Sequence, residues 1–388
     1  MSVLLGVPRE TYPGERRVAI VPRTCDALGK LDIKIIIERT AGEAAGFPDA
    51  QYEARGATVA SREQVFASAD VVAQVRTPGA NPEAGRADFP LLRPGQILIG
   101  FGEPLTALEE NAALAASGVS YFAMDLVPRI TRAQSMDALS SMANIAGYRA
   151  VLLAATTLPK LFPMMMTAAG TITPAHVFVL GVGVAGLQAI ATARRLGAVV
   201  SAYDLRPAVK EQVESVGAKF VVLDLDAAAS EAKGGYAKAM DETFYRRQRE
   251  LLTEVLREQD VVIATAAVPG RKAPLLMTTE MTSAMAPGSV VVDLAAERGG
   301  NCELTRPGQT VVHNGVTILG PVNLASSLPN HASQMYGSNI ASLLKLLIRK
   351  GALAIDLEDE IIRETLVAHD GKIVHARVKE LSASGGKG

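Results

Sequence analysis

The stretch Val177–Gly186, reading VFVLGVGVAG, constrains this chain more than any other. A short apolar run of strand character leads into Gly181, Gly183 and Gly186, and a helical pattern, LQAIATARRLG, follows. Strand before and helix after is the setting in which G-x-G-x-x-G carries meaning. The first glycine makes the tight turn, the second lets backbone approach a pyrophosphate, and the third lets helix pack closely on strand. The helix N-terminus adds unpaired N–H groups and a positive dipole end for the phosphates. A second apolar run, AVVSAY, ends at Asp204, roughly 20 residues past the turn, where a carboxylate can accept hydrogen bonds from adenosine ribose hydroxyls. The same charge repels a 2′-phosphate. The pattern predicts NAD(H) rather than NADP(H), although Arg206, two residues on, is of the type that serves a 2′-phosphate.

Comparable apolar runs recur along the chain with helical patterns between them. They are Leu4–Val7, Ile33–Ile37, Val71–Val75, Ile97–Phe101 and Tyr121–Met124, then Val177–Leu180, Val199–Tyr203, Phe220–Leu223, Val261–Thr265, Val290–Leu294 and Val316–Leu319. Continuous Val/Ile/Leu runs alternating with helices indicate parallel strands covered on both faces. The expectation is an α/β protein with two Rossmann-like domains and mainly parallel sheets. The helical patterns Asp137–Phe162 and Ser333–Lys350 bracket the glycine-motif half. They suggest a first domain built from both chain ends, 1–138 plus 326–388, with a dinucleotide-binding domain inserted at 139–325. A cleft between two such domains is a natural ligand site.

Composition narrows the function classes. The chain has 388 residues, 48% hydrophobic and 20% charged, which allows a large core and excludes global disorder. A net charge of −1 without long charged blocks gives no sign of nucleic acid or of an anionic membrane surface. Cys25 and Cys302 are too far apart for a CxxC metal site, and no metal is expected. Two cysteines, too few and too separated for a disulfide framework, lead us to expect a reduced, cytoplasmic compartment, and the N-terminus lacks the layout of a signal peptide. The uncharged stretch Leu161–Ala193 is long, but Pro163, Gly170, Pro174 and the motif glycines interrupt it. It reads as a loop, a buried strand and the start of a helix.

An ordinary dehydrogenase moves a proton as well as a hydride and places His, Lys or Tyr beside the reacting carbon. Of the five histidines, His176 precedes the nucleotide strand, while His313, His369 and His375 lie in polar or C-terminal contexts. Only His331, in LPNHASQMYG, is a candidate for a cleft. Exchange of hydride between two nicotinamide rings needs no such acid or base. The most polar constellation upstream of the turn is Arg129–Ser141, RITRAQSMDALSS. Asp137 or Ser135 there can cap the following helix. Capping leaves Arg129, Arg132 and Gln134 in the same loop unaccounted for, and such donors and acceptors suit a nicotinamide ribose and carboxamide. Further on, Gly234–Gly235 followed by Tyr236 suits either a mobile flap over a ligand or a plain surface loop.

RITRAQSMDALSSMANIAGYRA, FPMMMTAAGTITPA and GVGVAGLQAIATARRLGA resemble the NAD(H)-binding component of the proton-translocating nicotinamide nucleotide transhydrogenases. KEQVESVGAKF, GGYAKAM, VPGRKAP, PGSVVVDLAAERGGNCE and QMYGSNIASLLKLL resemble it as well, and the likeness runs from GVPRE near residue 6 to about residue 350. The resemblance implies hydride exchange between NAD(H) on this chain and NADP(H) on a partner domain, coupled to proton passage through membrane subunits. It implies a separate α1-type subunit, usually dimeric, peripheral at the inner face of the cell membrane through its partners.

Carried over residue by residue, Arg129 and Ser140 would hold the nicotinamide carboxamide, and Gln134 and Asp137 the ribose. Those four form the catalytic set, and Ile130, Thr131, Ser135 and Met136 complete the loop's cofactor contacts. Gly181, Val182, Gly183, Val184 and Gly186 would cradle the pyrophosphate, and Asp204, Leu205 and Arg206 the adenosine ribose. Gly235, Tyr236 and Gln248 would belong to the mobile loop and its flank, and Ala267 would line the nicotinamide side. The chain is also similar to alanine dehydrogenases in its GVPRE-like start and two-domain layout. In that group the catalytic lysine would fall at Arg76, in QVRTP, and the catalytic histidine near Glu103, in FGEPL. Arginine does not give up its proton, which speaks against amino-acid dehydrogenation. An amino-acid dehydrogenase and a non-catalytic NAD-binding redox sensor are the alternative readings.

Overall fold

The computed structural model describes residues 2–223, 231–232, 236–237, 242–268, 270–349 and 351–385. They form two compact units, Met1–Met142 with Ala325–Gly388, and Ala143–Leu324.

The second unit is organised by a seven-stranded sheet. Its order is Lys219–Phe220, Val199–Tyr203, His176–Leu180, Val261–Ala264, Val290–Asp293, Val316–Leu319 and Thr310–His313. All neighbours are parallel except the last pair. The apolar runs are continuous because both faces of these strands are buried. Val177 and Val179 face a core with Val151, Ala154, Ile190 and Ala193. Phe178 and Leu180 point the other way, towards Leu252, Leu256, Met281 and Met285, as the two-residue period of a strand requires. From His176–Leu180 the chain first lays strands on one side, then crosses to Val261–Ala264 on the other. The carboxyl ends at that reversal are where open α/β sheets bind ligands.

The first unit repeats the scheme with eight strands, in the order Lys372–Ile373, Leu366–His369, Ser120–Ala123, Ile97–Phe101, Val71–Arg76, Val3–Val7, Ile33–Glu38 and Thr58–Ala60. The six from the amino-terminal portion run parallel, and the two from the carboxyl-terminal portion join as an antiparallel edge. Each unit therefore carries the expected mainly parallel sheet.

Several local features depart from the sequence reading. Met165–Thr167 and Gly170–Ile172 pair as an antiparallel hairpin where the sequence reads as a loop, and all six residues are exposed. Thr58–Ala60, Thr310–His313, Leu366–His369 and Lys372–Ile373 are strands without a signal in the apolar pattern. The helical run predicted from Asp137 spans Ala138–Thr157 and stops ahead of Pro159, since the residue before proline is pushed out of the helical region. The later one spans Pro329–Leu347. Among the described residues no helix is long and apolar enough to cross a membrane, and no cluster of three His, Cys, Asp or Glu side chains could hold a metal.

Candidate functional site

The glycine turn takes the form its sequence requires. Gly181 sits at φ +89°, which L side chains rarely adopt, and its N–H donates to the Tyr203 carbonyl at 2.9 Å. Gly183 is the residue ahead of the helix Val184–Arg195 and, as a glycine, offers it no side-chain cap. Among the described residues a Cβ on Gly183 would meet nothing within 4 Å, whereas one on Gly186 would stand 2.1 Å from the Gly181 carbonyl oxygen. The second position is therefore open on the ligand side and the third is closed by packing. Gly147, on the helix Ala138–Thr157, extends that packing: a Cβ there would lie 2.2 Å from the Ala185 carbonyl oxygen. Together these features give an uncapped helix N-terminus with bare backbone in front of it, the donor set that fits a pyrophosphate.

Asp204 follows the strand Val199–Tyr203 and is largely buried. Its Oδ2 accepts from the Val182 N–H at 2.7 Å, which ties the acid to the glycine turn. Arg206 folds back on it, with its backbone N–H and Nε each 2.9 Å from Oδ1 and its terminal nitrogen 2.9 Å from Oδ2. The same terminal nitrogen donates to the Val182 carbonyl at 3.1 Å. The guanidinium is thus spent on the acid. Gln248, on Glu242–Leu256, is buried and donates from Nε2 to the Tyr203 hydroxyl at 3.0 Å. Burial, partly offset by that bond, pushes the Tyr203 phenol up to about 12. Gly235 lies outside the described residues, as does the Tyr236 side chain. The Tyr236 backbone pairs in a short ribbon with Glu231–Ala232.

In the first unit, Thr131–Met136 forms a short 3₁₀ turn ahead of the long helix. Asp137 caps that helix: its carboxylate accepts from the Ser140 N–H at 2.9 Å and from Ser140 Oγ at 2.5 Å. Arg129, Thr131, Gln134 and Ser135 are exposed, Ile130 half-buried, and Met136 buried beneath the turn. The Ser135 carbonyl is anchored by Asn339 Nδ2 at 2.9 Å, from the helix Pro329–Leu347. Arg132 pairs with both oxygens of Asp359, at 2.6 and 2.9 Å. His331 is exposed on Pro329–Leu347.

Arg76 and Glu103 belong to a charged cluster inside the first unit. Arg17 makes two 2.7 Å bonds to Glu15, and Arg76 adds a third contact to Glu15 at 3.1 Å while its guanidinium stacks 4.2 Å over the Tyr12 ring. Burial opposes ionisation of Glu15, yet Arg17 and Arg76 bring it down to about 2. Glu10 and Asp125 keep some surface as residues, but their carboxyl groups lie deep. Burial and the nearby Glu15 charge push Glu10 up to about 8, against hydrogen bonds from the Val75 and Arg76 N–H groups. Burial and the Glu103 charge raise Asp125 to about 7. The Arg76 guanidinium is locked between the Glu15 carboxylate and the Tyr12 ring.

Thr265, Asp293 and Asn301 also brace the carboxyl edge of the second sheet, and sequence reasoning misses all three. Thr265 Oγ donates to the Gly181 carbonyl at 2.7 Å, and Asn301 holds both backbone groups of Ala266, next to the exposed Ala267. The visible signal is only the pair of glycines ahead of Asn301 in ERGGNCE.

Two α/β units, one with a dinucleotide turn, define a nucleotide-binding oxidoreductase architecture. Residues 6–146 match the family described as alanine dehydrogenase/PNT, N-terminal domain, and residues 150–376 match its C-terminal domain. The chain belongs to this family. It is 47% identical over 375 residues to the first portion of the NAD(P) transhydrogenase subunit alpha of Rhodospirillum rubrum, covering 96% of this chain and 97% of that one. It is 28% identical to the alanine dehydrogenase of Mycolicibacterium smegmatis, over 97% of this chain and 96% of that one. Among solved structures, a transhydrogenase from Sinorhizobium meliloti superposes with TM-score 0.86 at 44% identity, covering 96% of this chain and all of that one. An L-alanine dehydrogenase superposes with TM-score 0.82 at 24% identity, over 98% and 99% of the two chains, a likeness of fold.

Proposed function

We propose that this chain is the NAD(H)-binding catalytic subunit of a proton-translocating transhydrogenase. It exchanges hydride directly with NADP(H) on a partner subunit, as a homodimer held at the inner membrane face by membrane subunits that carry the proton. The observation that carries the reading is the cradle at Gly183, where an added Cβ would touch none of the described residues, set at a helix N-terminus without a side-chain cap beside Asp204. High identity to transhydrogenase alpha subunits supports it. The Arg76 ion pair supports it too, because that cation cannot serve as the acid or base an amino-acid dehydrogenase needs.

NAD(H), when bound, supplies a nicotinamide ring able to give or take a hydride. The chain's own groups bind and orient. The N–H groups following Gly183 hold the pyrophosphate, and Asp204 receives the adenosine ribose hydroxyls with Arg206 and Leu205 beside it. Arg129 and Ser140 take the carboxamide, and Gln134 and Asp137 the nicotinamide ribose. Ile130, Thr131, Ser135 and Met136 shape that end, with Ala267 along the nicotinamide side and Tyr236 and Gln248 at the loop and its flank. With no proton to move at the substrate, orientation is the main catalytic contribution.

The test combines this chain with an NADP(H)-binding partner domain and follows reduction of an NAD analogue by NADPH. Hydride transfer that needs both chains is the expected result. Tight NADH binding with no transfer overturns the proposal. Separate titrations with NADH and NADPH check Asp204: NADH should bind far more tightly, and equal affinities would show that Arg206 governs the pocket.

A further inference from the structure

The loops at the carboxyl edge of the seven-stranded sheet are tied to one side chain. Asn301 has no accessible surface, and each of its polar atoms is engaged. Its amide Oδ1 accepts from the Ala266 N–H at 3.0 Å, while Nδ2 donates to the carbonyl oxygens of Ala266 and Pro274, both at 2.8 Å. Its backbone carbonyl accepts from the N–H groups of Leu276 and Met277 at 2.8 and 2.9 Å. Its own N–H donates to Asp293 Oδ2 at 2.7 Å. Asp293 ends the strand Val290–Asp293 and is itself fully buried. It also accepts from the N–H groups of Ala295 and Cys302 at 2.9 Å and from Thr305 Oγ at 2.7 Å.

One amide therefore grips Ala266 by both backbone groups, as a neighbouring strand would. On one side of that grip, Thr265 donates to the Gly181 carbonyl of the dinucleotide turn. On the other side stands Ala267, exposed. A buried network satisfied in this way is rigid, and Asn301 itself grips Ala266, while the dinucleotide turn is held by Thr265 through its own bond.

We infer that Asn301 is a positioning residue for hydride transfer: by holding Ala266 it sets the wall at Ala267 along which the nicotinamide half of NAD(H) is aligned, without touching the cofactor. The inference rests on the NAD(H) reading above. The phosphates and the adenosine ribose are assigned to other groups, Gly183 and Asp204, so loosening this wall acts on one half of the cofactor only. A displacement of about 1 Å at a reacting centre costs roughly 100-fold in rate.

Asn301→Asp keeps the shape and one acceptor but replaces the Nδ2 donor with an oxygen facing two carbonyl oxygens. Binding of ADP-ribose and of NADH is measured on the chain alone, and hydride transfer with the NADP(H)-binding partner domain. ADP-ribose affinity should stay within about twofold, NADH affinity should fall relative to it, and the transfer rate should drop roughly 10- to 100-fold. Equal losses for ADP-ribose and NADH would reduce Asn301 to a structural role and overturn the inference, as would an unchanged rate. If Asn301→Asp does not fold, Thr305→Val removes one outer donor to Asp293 and should give the same split with smaller amplitude. Equal losses there overturn it equally. Wild-type protein that binds NADH but transfers no hydride overturns the proposed function instead. The ratio of NADH to ADP-ribose affinity in the variant still decides the role of Asn301.

Discussion

A methyl group added at Gly183 meets no atom of the described residues within 4 Å, and the backbone there is at φ −85°, which any residue adopts. Nothing among the described residues requires glycine there, and the proposed function supplies a reason in the pyrophosphate. Gly183→Val should accordingly leave the melting temperature near wild type while weakening NADH. With one charge-assisted hydrogen bond lost, at about 1.5–3 kcal/mol, the affinity loss is roughly 10- to 100-fold. Isothermal titration with thermal melting in parallel separates the two effects, and unchanged affinity would remove Gly183 from the cradle. Gly186 is the reverse case, because its Cβ would stand 2.1 Å from the Gly181 carbonyl oxygen. Gly186→Ala should lower stability by about 1–3 kcal/mol, the usual cost of overpacking, and a variant as stable as wild type would contradict the packing role. The turn is legible in the sequence because both demands select the same residue type. Asn301 is not, since an asparagine after two glycines looks the same in any surface loop. Only the fold brings its amide to Ala266. Asp137 admits both a capping and a binding reading, and the cap is visible in its bonds to Ser140.

The central strands can be recognised because helices cover both faces, so every position of runs such as VVIA and VVVD is buried. The edge strands cannot. Thr310–His313 has no fully buried residue, and Lys372–Ile373 contributes only two pairings. Their strand character comes from the neighbour they pair with, which periodicity does not record. The same dependence on tertiary partners governs the helix Ala138–Thr157. In an isolated helix Gly147→Ala gains about 1 kcal/mol of helix propensity. Here the added Cβ would press on the Ala185 carbonyl oxygen in the first turn of Val184–Arg195. The sign should reverse. Gly147→Ala is expected to lower the melting temperature and, by pushing the first turn of that helix, to weaken NADH as well. A stabilised variant with normal NADH affinity would show that the two helices have room to separate.

At the scale of the whole molecule, the acids buried in the first unit give stability an uneven dependence on pH. Glu10 ionises near 4.5 in the unfolded chain but only at about 8 when folded, and Asp125 moves from 3.8 to about 7. Between those limits the unfolded chain has released protons that the folded chain still holds. Stability from these groups is therefore complete below about pH 4, is lost as pH rises, and is gone by about pH 8. Glu15 has the opposite sign. Its folded value near 2, set by Arg17 and Arg76 against burial, makes its contribution full above 4.5 and lost as pH falls towards 2. The melting temperature should decline from pH 5 to pH 8, with a separate collapse on the acid side. Glu10→Gln keeps an acceptor for the Val75 N–H, now 2.6 Å away, while removing the titration. It should make the decline between pH 5 and 8 shallower, with the part due to Asp125 remaining, and leave the acid limb in place. Melting curves of both proteins across pH 2–9 check this, and the same slope in both between pH 5 and 8 would mean that Glu10 is ionised in the folded protein.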